Sequence, residues 1–150
     1  MMTDEERNIH KKLAVDCFNS TWELIDKTDR NQDDDYRMIL LAQASRYHWG
    51  QVGTPLEFQR GDWMISWVYS ILGHKEEAMF AAKLCLDTCE RENFGGFDIA
   101  FAHLAMARAL RVNGDERNFY VHMGTAMEKA RQIENEEDRV YTISEIEKLM

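Results

Sequence analysis

The sequence is short of positive charge. Eighteen lysines and arginines stand against 27 aspartates and glutamates, a formal net charge of −9 at pH 7. Affinity for a phosphate backbone comes from clustered Lys and Arg. No basic run makes up the deficit locally, so nucleic acid is not an expected partner. The charged runs are acidic, Asp33 to Asp35 and Glu134 to Asp138. Both read as solvated helix N-termini, the end of the macrodipole that favours acids.

Cysteine is scarce and badly placed for chemistry. Cys17, Cys85 and Cys89 are odd in number and show neither metal-ligand nor redox spacing. Cys85 and Cys89 stand one helical turn apart, on one face rather than around an ion. They read as small core residues in a reducing compartment. Long apolar runs are missing as well. The first twelve residues, MMTDEERNIHKK, contain no apolar signal region, and nothing later approaches the ~18 apolar residues of a membrane span. A cytoplasmic protein without a membrane partner is the expectation.

The catalytic and cofactor motifs are absent too. There is no glycine-rich phosphate loop, no G-x-S-x-G and no paired-carboxylate signature. His10, His48, His74, His103 and His122 never stand one turn apart, so a metal site would need ligands from separate helices. No catalytic residue, cofactor or metal is expected. Arg60-Gly61-Asp62 lies inside a predicted helix and is not read as an adhesion tripeptide.

What is present is helical. At 150 residues, with 45% hydrophobic and 30% charged, the chain is one domain with an ordinary core. Thr3-Asp4-Glu5-Glu6 fits a capping box and opens a helix with apolar steps at Ile9, Leu13, Cys17 and at Ala14, Phe18, Trp22, Ile25. Asp33 is the expected cap of a second helix that ends near Trp49, with Gly50 beyond it. Thr54-Pro55-Leu56-Glu57 combines a capping box with the only proline at the first helical position. The third helix, through Trp63, Met64, Trp67, Val68 and Tyr69, is apolar nearly all round and is expected at the centre. Gly73 ends it. A fourth helix buries Ala78, Ala82, Cys85 and Cys89, and an alanine-rich fifth runs to Asn113-Gly114. The sixth is capped by Asp115 with Phe119, Met123, Ala126, Ala130 and Ile133 inward. The seventh is capped by Asn135 and carries Val140, Ile143, Ile146 and Met150. No strand-like alternation occurs. The fold class is all-α, about seven helices in antiparallel hairpins with short connections.

Two hairpins superpose by their closing glycines, Gly73 and Gly114, 41 residues apart. The first pair shows Ser66, Tyr69, Gly73, Ala78, Ala82 and Cys85; the second shows Ala107, Leu110, Gly114, Phe119, Met123 and Ala126. This pattern, from Pro55 to Arg131, resembles the tetratricopeptide repeat, a helix–turn–helix unit of ~34 residues. Leu110 and Phe119 stand where that family has Tyr and Ala, and neither pair ends in proline. The segments SRYHWGQVGTP and RGDW also resemble an uncharacterised family of bacterial helical-repeat proteins. The resemblance implies a right-handed superhelix of hairpins with a C-terminal capping helix, in which helices one, three, five and seven line a concave face.

Carrying the family's groove positions onto this chain gives Arg60, Trp63 and Trp67 on the third helix, with Phe101, Leu104, Arg108 and Arg111 on the fifth. The resemblance thus implies a non-catalytic module for a protein or peptide, whose acidic group an Arg108–Arg111 pair would fork. Trp63 and Trp67 fit either a groove platform or the core of helix three. A second reading, of another class, is a small-molecule or enzymatic pocket between helices near Tyr47, His48, Trp63 and His103. The apolar C-terminus, with Leu149 and Met150, and the row of Tyr120 and Met127 are either covered within the chain or pair two chains in a weak homodimer.

Overall fold

A computed structural model describes residues 1–150. Seven helices follow one another: α1 (Asp4–Asp26), α2 (Gln32–Val52), α3 (Pro55–Leu72), α4 (Lys75–Arg91), α5 (Gly96–Val112), α6 (Glu116–Arg131) and α7 (Glu136–Glu147). Sequential helices pack as antiparallel pairs, α1 on α2, α3 on α4 and α5 on α6, with α7 laid against α5 and α6. None is long and apolar enough to cross a membrane.

Side-chain oxygens set most of the helix starts. The Glu6 amide donates to Thr3 Oγ1 at 3.1 Å, and the Asn118 and Asp138 amides to Asp115 and Asn135 at 3.1 and 2.9 Å. At α3, Glu57 Oε1 accepts from the Thr54 amide at 3.0 Å with Pro55 in the first turn. The start of α2 departs from the sequence reading. Asn31, not Asp33, is the cap: its side chain accepts from the Asp34 amide at 2.8 Å, and Asp34 accepts back from the Asn31 amide. Asp34 is also claimed by Lys27 at 2.7 Å, which fixes the box two residues earlier than the acidic run suggests. The far end of α2 differs too, running through Gly50 to Val52 with Gly53 as its cap. A lone glycine costs a helix only about 1 kcal/mol, too little to end it at Gly50.

The joints repeat one device. Gly73 and Gly114 adopt left-handed φ of 77° and 76°. In each the next amide reaches back to the helix, His74 to the Tyr69 carbonyl and Asp115 to the Leu110 carbonyl, both at 2.9 Å. Asn93, at φ 59°, does the same between α4 and α5, with Phe94 donating to the Cys89 carbonyl at 2.9 Å.

Small residues let paired helices close up. Ser45 donates to the Ala14 carbonyl at 2.7 Å across α1–α2, and Ser66 to the Ala78 carbonyl at 2.8 Å across α3–α4. Both pairs are buried, so each hydroxyl satisfies itself where water cannot reach. Gly61 does similar work between α2 and α3, because a Cβ there would meet Arg46 Cδ at 2.7 Å. The inward rows expected on α4 and α6 are all buried. The centre, however, is α5 rather than α3: every residue from Ala100 to Leu110 is buried except His103. Four neighbours, α3, α4, α6 and α7, cover α5, whereas α3 lacks such cover on the side facing α1. On α1 only Ala14 and Thr21 are buried, while Ile9 and Leu13 lie exposed, since a terminal hairpin has a partner on one side only. On α7, Ile146 is buried but Val140 is exposed.

Candidate binding site

The odd-numbered helices share a face, and their large side chains meet there. The first three contribute residues one turn apart, which helical geometry stacks on one side. Phe18 and Trp22 come from α1, Gln59 and Trp63 from α3, and Phe97 and Phe101 from α5; Tyr141 joins them from α7. Together with Arg60 and Asp98 they wall a cavity of about 250 Å³. The aromatic rings run in an unbroken chain. Trp67 meets Trp22 edge-on at 4.8 Å and Trp63 at 5.2 Å; Trp63 meets Phe101 edge-on at 5.7 Å; Phe101 reaches Phe97 at 5.4 Å and Tyr141 at 6.2 Å. These are favoured offset and edge-to-face arrangements, so the walls are rigid without being a closed core.

One side of the cavity is polar and fully paired. Asp98 Oδ1 accepts from Gln59 Nε2 at 2.7 Å and Arg60 Nε at 3.0 Å, and Asp98 Oδ2 accepts from Arg60 Nη2 at 3.1 Å. The two-pronged contact raises the Arg60 guanidinium further above its usual range, and Arg60 also lies over the Phe97 ring at 5.1 Å. Behind it, the Cys85 and Cys89 thiols both donate to Gln59 Oε1 at 3.3 Å. Cys85 is pushed up by its contact with Cys89 and by burial, so it is a neutral donor that orients Gln59 and not a nucleophile.

Beyond the Trp63 wall, and not lining the cavity, sits a charge with no counter-ion. Arg108 is buried, makes no salt bridge, and leaves Nη1 without a hydrogen-bond partner. Its guanidinium lies over the Trp67 ring at 4.3 Å. Burial pulls it down to about 10, against a partial restoring effect from Glu145 and Tyr141.

The residues singled out from the sequence are thus divided among several places. Arg60, Trp63 and Phe101 line the cavity, and Trp67 and Arg108 adjoin it. Leu104 is fully buried in the core. Arg111 turns to the C-terminus, donating to the Leu149 carbonyl at 2.6 Å and covering Phe119 at 4.2 Å, so it forms no fork with Arg108. The pocket imagined around Tyr47, His48, Trp63 and His103 is not assembled. His48 pairs with His10 of α1, Nδ1 to Nδ1 at 2.8 Å, beside an exposed Tyr47. His103 pairs with His122 of α6 at 3.0 Å and borders a separate polar hollow between α4, α5 and α6. Each pair joins helices packed side by side, and the two lie on different hairpins. No group of three or more His, Cys, Asp or Glu side chains is placed to hold a metal ion.

Phe18, Trp22, Gln59, Phe97, Asp98 and Tyr141 were not singled out as site residues. A usable signal existed for three of them, Phe18, Trp22 and Phe97: Phe18–Trp22 and Phe97–Phe101 repeat the one-turn aromatic step of Trp63–Trp67, each on an odd-numbered helix. Comparisons of the chain with protein-family models, with curated proteins and with solved structures give no match.

Proposed function

We propose that the chain is a non-catalytic protein-interaction module, a tetratricopeptide-like right-handed superhelix whose odd-numbered helices form the recognition face. One observation carries this reading: all four odd-numbered helices contribute to a single aromatic cavity of about 250 Å³. That volume suits one large apolar side chain of a bound segment, held by edge and face contacts. Such buried aromatic pockets dominate the energetics of protein recognition. The polar groups that line it, Asp98, Arg60 and Gln59, are paired with one another, which suits binding and leaves no free general base or nucleophile among them.

Selection from a displayed library of random peptides tests the proposal. Enriched sequences are expected to share a large aromatic or aliphatic residue. Their affinity is expected to fall tenfold or more in Phe97→Ala, a rim position that is about a third exposed, 36%, and is tolerant of truncation. Failure to enrich any sequence family, or enrichment that Phe97→Ala leaves untouched, overturns the reading.

A further inference from the structure

The aromatic cavity has a neighbour. A second hollow of about 170 Å³ lies beside it, walled by Val15 of α1, Trp49 of α2 and Glu57 of α3. Phe18 and Arg60 line both cavities, so the two share one partition and form a single groove across α1 and α3. Each end is open to solvent: Phe97 on the first cavity and Val15 on the second are both exposed. A segment that fills the first cavity and continues across Phe18 and Arg60 enters the second.

The two cavities differ in charge. In the first, the polar wall is closed on itself, with Asp98 clamped by Gln59 and by two nitrogens of Arg60. The second holds a carboxylate that no cation of the chain neutralises. Glu57 caps α3, its Oε1 accepting from the Thr54 amide at 3.0 Å and the Thr54 hydroxyl at 3.2 Å. It takes part in none of the ion pairs of the structure. Arg60, the one cation lining the groove, is committed to Asp98. The groove therefore sets two carboxylates against one guanidinium, on a chain whose formal net charge is −9. The rest of the second hollow is mainly apolar, with Val15, Phe18 and the Trp49 indole. Apolar walls around one acid suit a lysine or arginine side chain, which lays its methylene stem on such surface and keeps its cation for the carboxylate and the indole.

From this arrangement we infer that the guest is a protein segment with two anchors, a large apolar side chain in the aromatic cavity and a basic side chain in the adjoining hollow, where Glu57 receives the cation. The inference rests on the recognition reading above and adds the second anchor and its charge. A wholly apolar second anchor covers Glu57 without pairing it, and an acidic one meets a like charge; both are penalised at an interface. The negative charge of the whole chain draws a basic segment towards the groove as well.

The test uses capped peptides and the whole chain. Acetyl-Phe-Gly-Lys-amide, longer members with added glycines, and the same series in reverse order are titrated by heteronuclear NMR. Each is paired with a counterpart carrying norleucine for lysine, which keeps the stem and removes the cation. The Lys peptide of one spacing is expected to bind about three- to tenfold tighter than its norleucine counterpart, the range for a partly exposed ion pair beside an indole. Glu57→Gln is expected to bring that ratio toward one and to leave norleucine binding unchanged, since glutamine keeps the capping contact with Thr54. Val15→Lys, at an exposed position on the wall, gives Glu57 a cation of its own and is expected to abolish the preference without touching the cap. Glu116→Gln on α6 makes the same change of charge away from the groove and is expected to leave the ratio in place. Lys peptides that bind no tighter than norleucine peptides at every spacing overturn this inference while leaving the recognition face intact. A ratio that survives both Glu57→Gln and Val15→Lys, or that Glu116→Gln lowers equally, also overturns it. Failure of every peptide to perturb groove resonances overturns both it and the recognition reading.

Discussion

Replacing Arg108 by methionine is expected to make the protein more stable. The guanidinium sits 9% exposed with no carboxylate partner. Burial draws it well below the usual guanidinium value, to about 10. Both values lie far above neutrality, so at pH 7 the cation is charged folded and unfolded, and the penalty on the charged form is present in full. A displacement of that size corresponds to roughly 3 kcal/mol against the folded state. The Trp67 face, 4.3 Å away, returns about 1–2 kcal/mol of that as a desolvated cation–π contact. Methionine follows the path of the arginine stem and recovers about 1 kcal/mol against the indole through its sulfur. The net expectation for Arg108→Met is a gain of about 2–3 kcal/mol, a rise in melting temperature of roughly 4–12 °C for a chain of this size.

Urea unfolding followed by far-UV circular dichroism measures it, with an unchanged m-value showing that the gain is not a change in compactness. Arg60→Met is the contrast, since it strands Asp98, whose side chain is only 13% exposed, and is expected to destabilise by about 1–3 kcal/mol after allowing for the partial exposure of Arg60. Destabilisation of more than about 1 kcal/mol by Arg108→Met would refute the premise that this charge is uncompensated.

Three further outcomes are expected. Gly114→Ala, at φ 76° with open space around the added Cβ, isolates backbone strain and should cost about 1–2 kcal/mol in denaturant melts, with Gly114→Asn costing less. His103 is held down to about 4 by burial first, then by His122 and Lys129. Its folded value lies below the unfolded 6.5, so the unfolded chain takes up the proton first; stability should be full above pH 6.5 and be lost between 6.5 and about 4. Since His103 is only partly buried, the loss is discounted for solvent screening to the order of 1–2 kcal/mol, and His103→Gln should flatten that window in pH-dependent melts. The apolar C-terminus is expected to form a weak dimer that Leu149→Ser/Met150→Ser disperses, and a wild-type monomer at millimolar concentration in light scattering would refute it; Met150 is exposed, whereas Leu149 packs on the core.

The helices were legible because their signals are local. Thr3, Thr54-Pro55, Asp115 and Asn135 mark starts through hydrogen bonds that span three residues, and Gly73 and Gly114 mark ends through φ alone. The inward rows of α4 and α6 follow from period and residue size. What local pattern leaves open is which helix covers which. Asp33 and Asn31 both make acceptable caps, and only Lys27, seven residues before Asp34, favours the box that forms. The Arg108–Arg111 fork failed for a related reason. Three residues along α5 place the two arginines on neighbouring faces, but the sequence gives no sign that the Leu149 carbonyl waits for one of them and nothing waits for the other. His48 and His103 likewise look equivalent to pocket residues until their partners across the hairpins, His10 and His122, are known.

Two kinds of contact organise the chain, and their difference bears on function. Within hairpins the backbones approach, and the residues between them are small: Ala14 with Ser45, Ser66 with Ala78, alanines throughout α5. Along the odd-numbered face the large rings of α1, α3, α5 and α7 span wider gaps and still leave about 250 Å³ between them. Pure stability selection narrows such a gap, since rings facing it leave apolar surface in water at roughly 25 cal/mol per Å². It also pairs or deletes a buried arginine and gives an indole N–H an acceptor. The gap and Trp63 Nε1 belong to one cavity, with Arg108 beyond its wall at Trp67, whereas the hollow between α4, α5 and α6 is polar and holds no comparable ring of aromatics. A gap kept on this face against stability selection is what the recognition reading requires, since a guest side chain can fill it only if the protein's own side chains do not.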